Sequence, residues 1–156
     1  MNSDATQDEI AIRALVAAYN DAVNRGDLEG MVAVYAEDGV LHPFGGKEYI
    51  GHAQIREVIG GSVGHYAFVF QMTHAGLVKV DGDSGTGRFW ISEYGQPADG
   101  SPATQFMGLY QDRYVRTPGG WRFARRQLDA TFRGRVKLEG KMPARPAYLP
   151  GLGPPA

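Results

Sequence analysis

Cysteine is absent from this chain, which excludes a disulfide framework, a thiolate metal site and a cysteine nucleophile. A charge excess of either sign is also lacking. The 16 Lys and Arg against 17 Asp and Glu leave a net charge of −1, and there is no basic stripe of the kind that binds nucleic acid. No apolar run approaches the roughly 20 residues that cross a bilayer. The opening MNSDATQDE is too polar and acidic for a secretory signal. A cytoplasmic protein that engages neither nucleic acid nor membrane is the expectation. HExxH and Gly-x-Ser-x-Gly do not occur, and Gly60-Gly61-Ser62-Val63-Gly64 lacks the lysine and the strand–helix setting of a phosphate cradle. The four histidines, His42, His52, His65 and His74, are not at the i, i+4 spacing of a helical ligand pair, so neither metal nor cofactor is expected. His52 and His65 stand beside glycines and read as exposed.

The 156 residues are 43% hydrophobic, enough to fill the core of one domain. Ile12, Leu15, Val16, Tyr19 and Val23 recur at three- and four-residue steps, which predicts an amphipathic helix from Asp8 to Asn24. Gly26 ends it, and Asp27 caps a second helix from Leu28 to Tyr35. Glu37-Asp38-Gly39 reads as a turn, Val40 to His42 as a short strand stopped by Pro43, and Ala53 to Ile59 as a third helix stopped by Gly60-Gly61. Four strand-like runs follow, at Tyr66–Val80, Thr86–Tyr94, Thr104–Arg116 and Trp121–Phe132. Asp81-Gly82-Asp83 and Pro118-Gly119-Gly120 supply the tight turns between them. Helices first and antiparallel strands later argue for an α+β fold with helices packed on one face of a curved sheet. The domain is expected over residues 8–135. Residues 1–7 are expected to lack order, and the Pro- and Gly-rich tail 142–156 to lack regular structure while still able to dock.

Two stretches resemble the nuclear transport factor 2-like superfamily. The first is Ala22-Val23-Asn24-Arg25-Gly26-Asp27-Leu28-Glu29-Gly30 running into Val34-Tyr35-Ala36-Glu37-Asp38. The second is Tyr110-Gln111-Asp112-Arg113-Tyr114-Val115-Arg116 with Gly120-Trp121-Arg122-Phe123. The resemblance covers about residues 8 to 132 and implies a cone-shaped, mostly antiparallel curved sheet on N-terminal helices, enclosing one pocket. It says less about activity, because this fold hosts lyases, isomerases, hydrolases, cyclases and binders.

Within the superfamily, resemblance to ketosteroid isomerase implies that Tyr19, seven residues before Gly26, is an oxyanion donor and that Asp112 is a protonated acid. His42, before Pro43, stands near the place of that enzyme's base, one residue short of its spacing. Resemblance to SnoaL-like, scytalone dehydratase-like and dehydrochlorinase-like enzymes implies that His74 is the base. Asn24 stands where those enzymes carry the aspartate that orients it, so the usual His–Asp dyad is incomplete.

These residue types suit proton abstraction, which needs a base near neutral pKa and a donor for the developing oxyanion. Histidine meets the first need. A tyrosine, or a carboxylic acid kept neutral by an apolar site, meets the second, and ketosteroid isomerase is the standing example of the latter. Strand alternation places Phe106, Tyr110 and Tyr114 on the face of Asp112, and with Trp90 and Asn24 these are the expected contacts to a small apolar ring compound. The expected activity is a cofactor-independent lyase or isomerase, dehydration favoured. Two alternatives remain. One is a non-catalytic binding or dimerisation module. The other is an epoxide hydrolase or polyketide cyclase built on Asp112 with Arg88 or Arg125, and Asp129. An aromatic sheet (Trp90, Tyr94, Tyr110, Tyr114, Trp121) that needs covering, and the resemblance, both point to a homodimer.

Overall fold

The computed structural model describes residues 3–149 and residue 152. Helix α1 runs Ser3–Arg25. It begins five residues before the expected Asp8, so Ser3 to Gln7 are helical rather than disordered. The expectation for residues 1 and 2 lies outside the described residues. The early start has a tertiary cause. Asp8 accepts from Trp121 Nε1 at 3.1 Å and from Arg116 Nη2 at 2.7 Å, which ties the first turns to the far hairpin. The buried stripe of α1 holds Ile12, Leu15, Val16, Tyr19, Ala22 and Val23. The helix ends at Gly26, whose φ of 67° is a left-handed stop. Asp27 then caps α2, Leu28–Ala33, by accepting from the Gly30 amide at 2.9 Å.

Strand β1 covers Tyr35–His42 and takes in the expected turn at Glu37-Asp38-Gly39. Those residues form an irregularity between the Tyr35↔Phe123 and Val40↔Arg125 pairings. A β-carbon at Gly39 would meet the carbonyl oxygens of Phe123 at 2.8 Å and Ala36 at 2.9 Å, so the turn-like sequence makes a bulge instead. After the short β2, Tyr49–Ile50, helix α3 runs Gly51–Val63. It continues through Gly60-Gly61, because Ile55 and Ile59 are buried and Gly60 lets Leu28 of α2 approach its backbone. Packing outweighs the glycine penalty there.

Strands β3 (Tyr66–Asp81), β4 (Ser84–Pro97), β5 (Ala103–Thr117) and β6 (Gly120–Val136) complete the sheet. Its order is β2-β1-β6-β5-β4-β3. All pairs are antiparallel except β1 with β6. The α+β architecture is as expected, a curved sheet with the helices on one face, although it stays open, with β2 and β3 at its edges. Residues 137–149 have no regular structure. They nonetheless dock: the Arg145 guanidinium donates to the Arg25 carbonyl, and Arg25 lies 5.8 Å from the Tyr148 ring.

Candidate active site

Between the helices and the inner face of the sheet lies a cavity of about 160 Å³. Its wall is mostly aliphatic, with Val23, Met31, Leu41, Val69 and Leu128 among the lining residues. Its polar groups are few: Tyr19 from α1, Tyr66 and Gln71 from β3, Glu93 from β4, Tyr110 from β5, and the exposed Ser62 of α3 at the open side.

Gln71 organises this polar end. It is 2% exposed and lies on the edge strand, where no further strand is available to its main chain. Asn24 takes that place. Its Nδ2 donates to the Gln71 carbonyl at 2.8 Å, and its Oδ1 accepts from the Gln71 amide at 2.7 Å. With its backbone held twice, Gln71 directs Nε2 to Glu93 Oε2 at 2.8 Å and to the Tyr110 hydroxyl at 3.2 Å. Its Oε1 is buried without a partner. Burial pushes the Glu93 carboxyl above the usual carboxylate range, and the Gln71 bond opposes the shift only partly. Burial likewise raises Tyr19 and, more strongly, Tyr110. Both phenols are therefore neutral donors at physiological pH, with rings edge to face at 6.1 Å.

Behind the cavity is a second buried polar group. Arg126 is 0% exposed and Asp112 3%. Arg126 Nε donates to Asp112 Oδ1 at 2.9 Å and its Nη2 to Oδ2 at 2.7 Å, and the Tyr114 hydroxyl adds a bond to Oδ2 at 3.0 Å. The guanidinium carbon sits 3.9 Å from the ring centres of Tyr110 and Phe123 and 4.5 Å from that of Tyr19. Burial works against the arginine's charge, but the Asp112 carboxylate outweighs it and raises the Arg126 pKa.

This geometry brings Tyr19 and Tyr110 together in the cavity and separates the other expected site residues from it. Asp112 faces inward, yet both of its carboxyl oxygens are taken by Arg126 and Tyr114 rather than presented to the cavity. Its partner is neither Arg88 nor Arg125, and Asp129 instead accepts from Gln111 and Gln127. The epoxide hydrolase arrangement is thus not formed. His74 is exposed and pairs through Nε2 with Ser92 Oγ at 2.9 Å. The register shift between Thr73 and Gly76 turns the inward face from Val69 and Gln71 to Val78 and Val80, and His74 falls outside this cavity, in a groove that it lines with Asn20, Asn24 and Thr73. His42 is half-buried, but its Nδ1 faces Arg125 Nη2 at 3.1 Å, while Leu41 and Pro43 line the cavity.

The remaining expected contacts are similarly distributed. Asn24 uses both ends of its amide on the Gln71 backbone, and it lines, with His74, a separate groove between α1 and β3. Trp90 is 48% exposed on the outer face of the sheet. Phe106 packs on Phe44 at 6.1 Å, and Tyr114 is buried against Asp112 and Phe123. His65 is exposed as expected, whereas His52 is half-buried and bonds the Tyr35 carbonyl at 2.9 Å. Among the described residues, no histidine lines the cavity, and no group of three or more His, Asp or Glu is placed to hold a metal ion.

Gln71 and Glu93 are the site residues that the sequence reading missed. A signal was present for one of them. Phe89, Ile91 and Glu93 alternate along β4, so a carboxylate shares the inward face with two core side chains.

The sequence pattern of the SnoaL-like domain matches residues 4–127. The chain belongs to the SnoaL-like family. Within the nuclear transport factor 2-like superfamily, this SnoaL-like protein is similar to a function-unknown protein of Mycobacterium tuberculosis, Rv3472, with 32% identity, 83% of this chain and 76% of the other covered, and a TM-score of 0.72. It is also similar to a provisionally assigned scytalone dehydratase of Novosphingobium aromaticivorans (18% identity, 94% and 99% covered, TM-score 0.78). The hexachlorocyclohexane dehydrochlorinase LinA-type3 of Novosphingobium barchaimii shares 15% identity over 92% and 99% of the two chains, with a TM-score of 0.82. At the last two identities the likeness is one of fold.

Proposed function

We propose that this SnoaL-like protein is a cofactor-independent lyase or isomerase, with dehydration the favoured reaction, acting on a small apolar ring compound. The observation that supports this reading is the cavity itself, an aliphatic wall closed at one end by neutral phenols and a carboxyl group. Neutral O–H donors stabilise an oxyanion, and a carboxyl group of raised pKa holds a proton more readily than an ordinary carboxylate. Fold likeness to a provisionally assigned dehydratase and to a dehydrochlorinase is consistent with it. The cavity's 160 Å³ is close to the roughly 150 Å³ that holds one benzene ring, so the ligand is sized as a single ring.

The test is conversion of 3-hydroxycyclohexanone to cyclohex-2-enone and water, followed by the ultraviolet absorbance of the conjugated enone. Saturable turnover is expected, slowed on the order of 100-fold in Tyr19→Phe, the usual cost of one oxyanion donor. Saturable binding of the ketone by ligand-observed NMR, without conversion, would overturn the enzymatic reading in favour of a non-catalytic binding module.

A further inference from the structure

Among the described residues, Glu93 is the one carboxyl group lining the cavity. Gln71 Nε2 holds its Oε2 at 2.8 Å, while Oε1 has no hydrogen bond to the protein and is not sealed away. One oxygen is therefore fixed and the other is available to a ligand. Gln71 can fix it because Asn24 clamps the main chain from which its side chain springs. The lining contains no lysine, arginine or histidine among the described residues, and the nearby Arg126 already carries Asp112. An anionic ligand would find no free cation there and would face Glu93. A cationic ligand would lose its hydration against an aliphatic wall with one carboxylate in return.

We propose that Glu93 is the catalytic residue that carries the proton, that Gln71 positions it, and that the accepted ligands are uncharged single-ring molecules presenting a carbonyl or hydroxyl oxygen to Tyr19 and Tyr110. This rests on the acid/base reading above. For a ketone the step balances within the site. Glu93 Oε1 takes a proton from the carbon beside the carbonyl and the C–H bond breaks. Its electron pair moves onto the carbonyl oxygen, where the phenol hydroxyls hold the enolate. Returning the proton to the same carbon completes an exchange; returning it elsewhere completes an isomerisation. Loss of a β-hydroxyl as water, with that proton, completes a dehydration.

The exchange half-reaction needs no knowledge of the natural substrate. Cyclohexanone incubated with the protein in D₂O should lose its α-proton NMR signals faster than in buffer. Glu93→Gln keeps the shape of the side chain and should slow this on the order of 100-fold, the lower range of general-base contributions. His74→Ala, outside the cavity lining, should leave the rate unchanged. The wild-type rate should rise with pH through a midpoint above the ordinary carboxylate range. The titratable groups facing Glu93 are Tyr19, Tyr66 and Tyr110, and burial keeps Tyr19 and Tyr110 neutral across that window. In Gln71→Leu the midpoint should move higher still, since the lost bond favours the charged form; a purely structural glutamine would leave the midpoint in place. Unchanged exchange in Glu93→Gln, or a rate halved or worse by His74→Ala, overturns this proposal and leaves the acid/base reading standing. No exchange by the wild-type protein overturns both.

Discussion

A buried charge is tolerated only with its partner, and Asp112 and Arg126 show what that demands. Both side chains are 0% exposed, and the bidentate pair of bonds from Arg126, with the bond from the Tyr114 hydroxyl, leaves little of the carboxylate unsatisfied. Arg126 is boxed in by Tyr19, Tyr110 and Phe123, so it cannot swing to solvent if the carboxylate is removed. Asp112→Asn is therefore expected to cost about 3–5 kcal/mol in chemical denaturation, because it strands a desolvated guanidinium. A double variant, Asp112→Leu with Arg126→Met, should recover a large part of that loss. Strand alternation puts Tyr110 and Tyr114 on the same face as Asp112, and all three are buried. An ion pair with a nearby arginine was one reading of the sequence, and the β5–β6 pairing Asp112↔Arg126 selects Arg126 as the partner. Glu93 is the opposite case. Its raised pKa means that the folded state favours the protonated form. Its contribution to stability is greatest below its unfolded pKa, near the ordinary value of 4.5, and declines as pH rises through the folded value. Glu93→Gln should remove that decline.

At the scale of the element, the bulge in β3 decides which face each side chain takes. Before it, Val69 and Gln71 point inward; after it, Val78 and Val80 pack on the core. Gly76 permits the change. A β-carbon there would stand 2.3 Å from the Phe89 ring and 2.6 Å from the Arg88 carbonyl. Gly76→Ala is expected to destabilise the fold by about 1–3 kcal/mol, the usual range for overpacking, measured as a shift of the denaturation midpoint. Periodicity in the sequence located β3 and its length correctly, but it carries no mark of where the pairing slips. The placement of His74 outside the cavity lining follows from that slip. Similarly, α1 extends to Ser3 because Asp8 meets Arg116 and Trp121 more than 100 positions later in the chain, a contact that no local pattern predicts.

For the whole molecule, the outer face of the sheet is the unfinished surface. Phe70, Met72, Trp90, Met107 and Phe132 are each 40–49% exposed. They lie on neighbouring strands, with Met107 opposite Phe132 and Ser92, and Phe70 opposite Tyr94. Of the aromatic residues first assigned to such a surface, Trp90 and Tyr94 belong to it, whereas Tyr110, Tyr114 and Trp121 are buried in the core. We propose that a second copy of the chain covers this patch, since a self-complementary apolar face on a two-fold axis buries it twice over. Sedimentation should show a dimer that Trp90→Asp converts to monomer while the monomer keeps its fold by circular dichroism. A monomeric wild-type protein at micromolar concentration would overturn the proposal.

Local chemistry determined the class of fold. Helical periodicity, capping at Asp27, tight turns at Asp81-Gly82-Asp83 and Pro118-Gly119-Gly120, and long β-rich runs are properties of neighbours in the chain, and they gave the elements and their order while several element ends moved. The inward positions of Tyr19 and Tyr110 are consistent with the helix stripe and with strand parity. Tertiary structure alone decided the rest of the site. A pocket is made of side chains from different elements, and which of them meet depends on strand register, on a bulge that reverses a face, and on which carboxylate a buried arginine claims. Asp112 and Glu93 have similar inward positions on adjacent strands. Arg126 lies against the first and not the second, and that single contact leaves Glu93 as the group in the cavity free to exchange a proton.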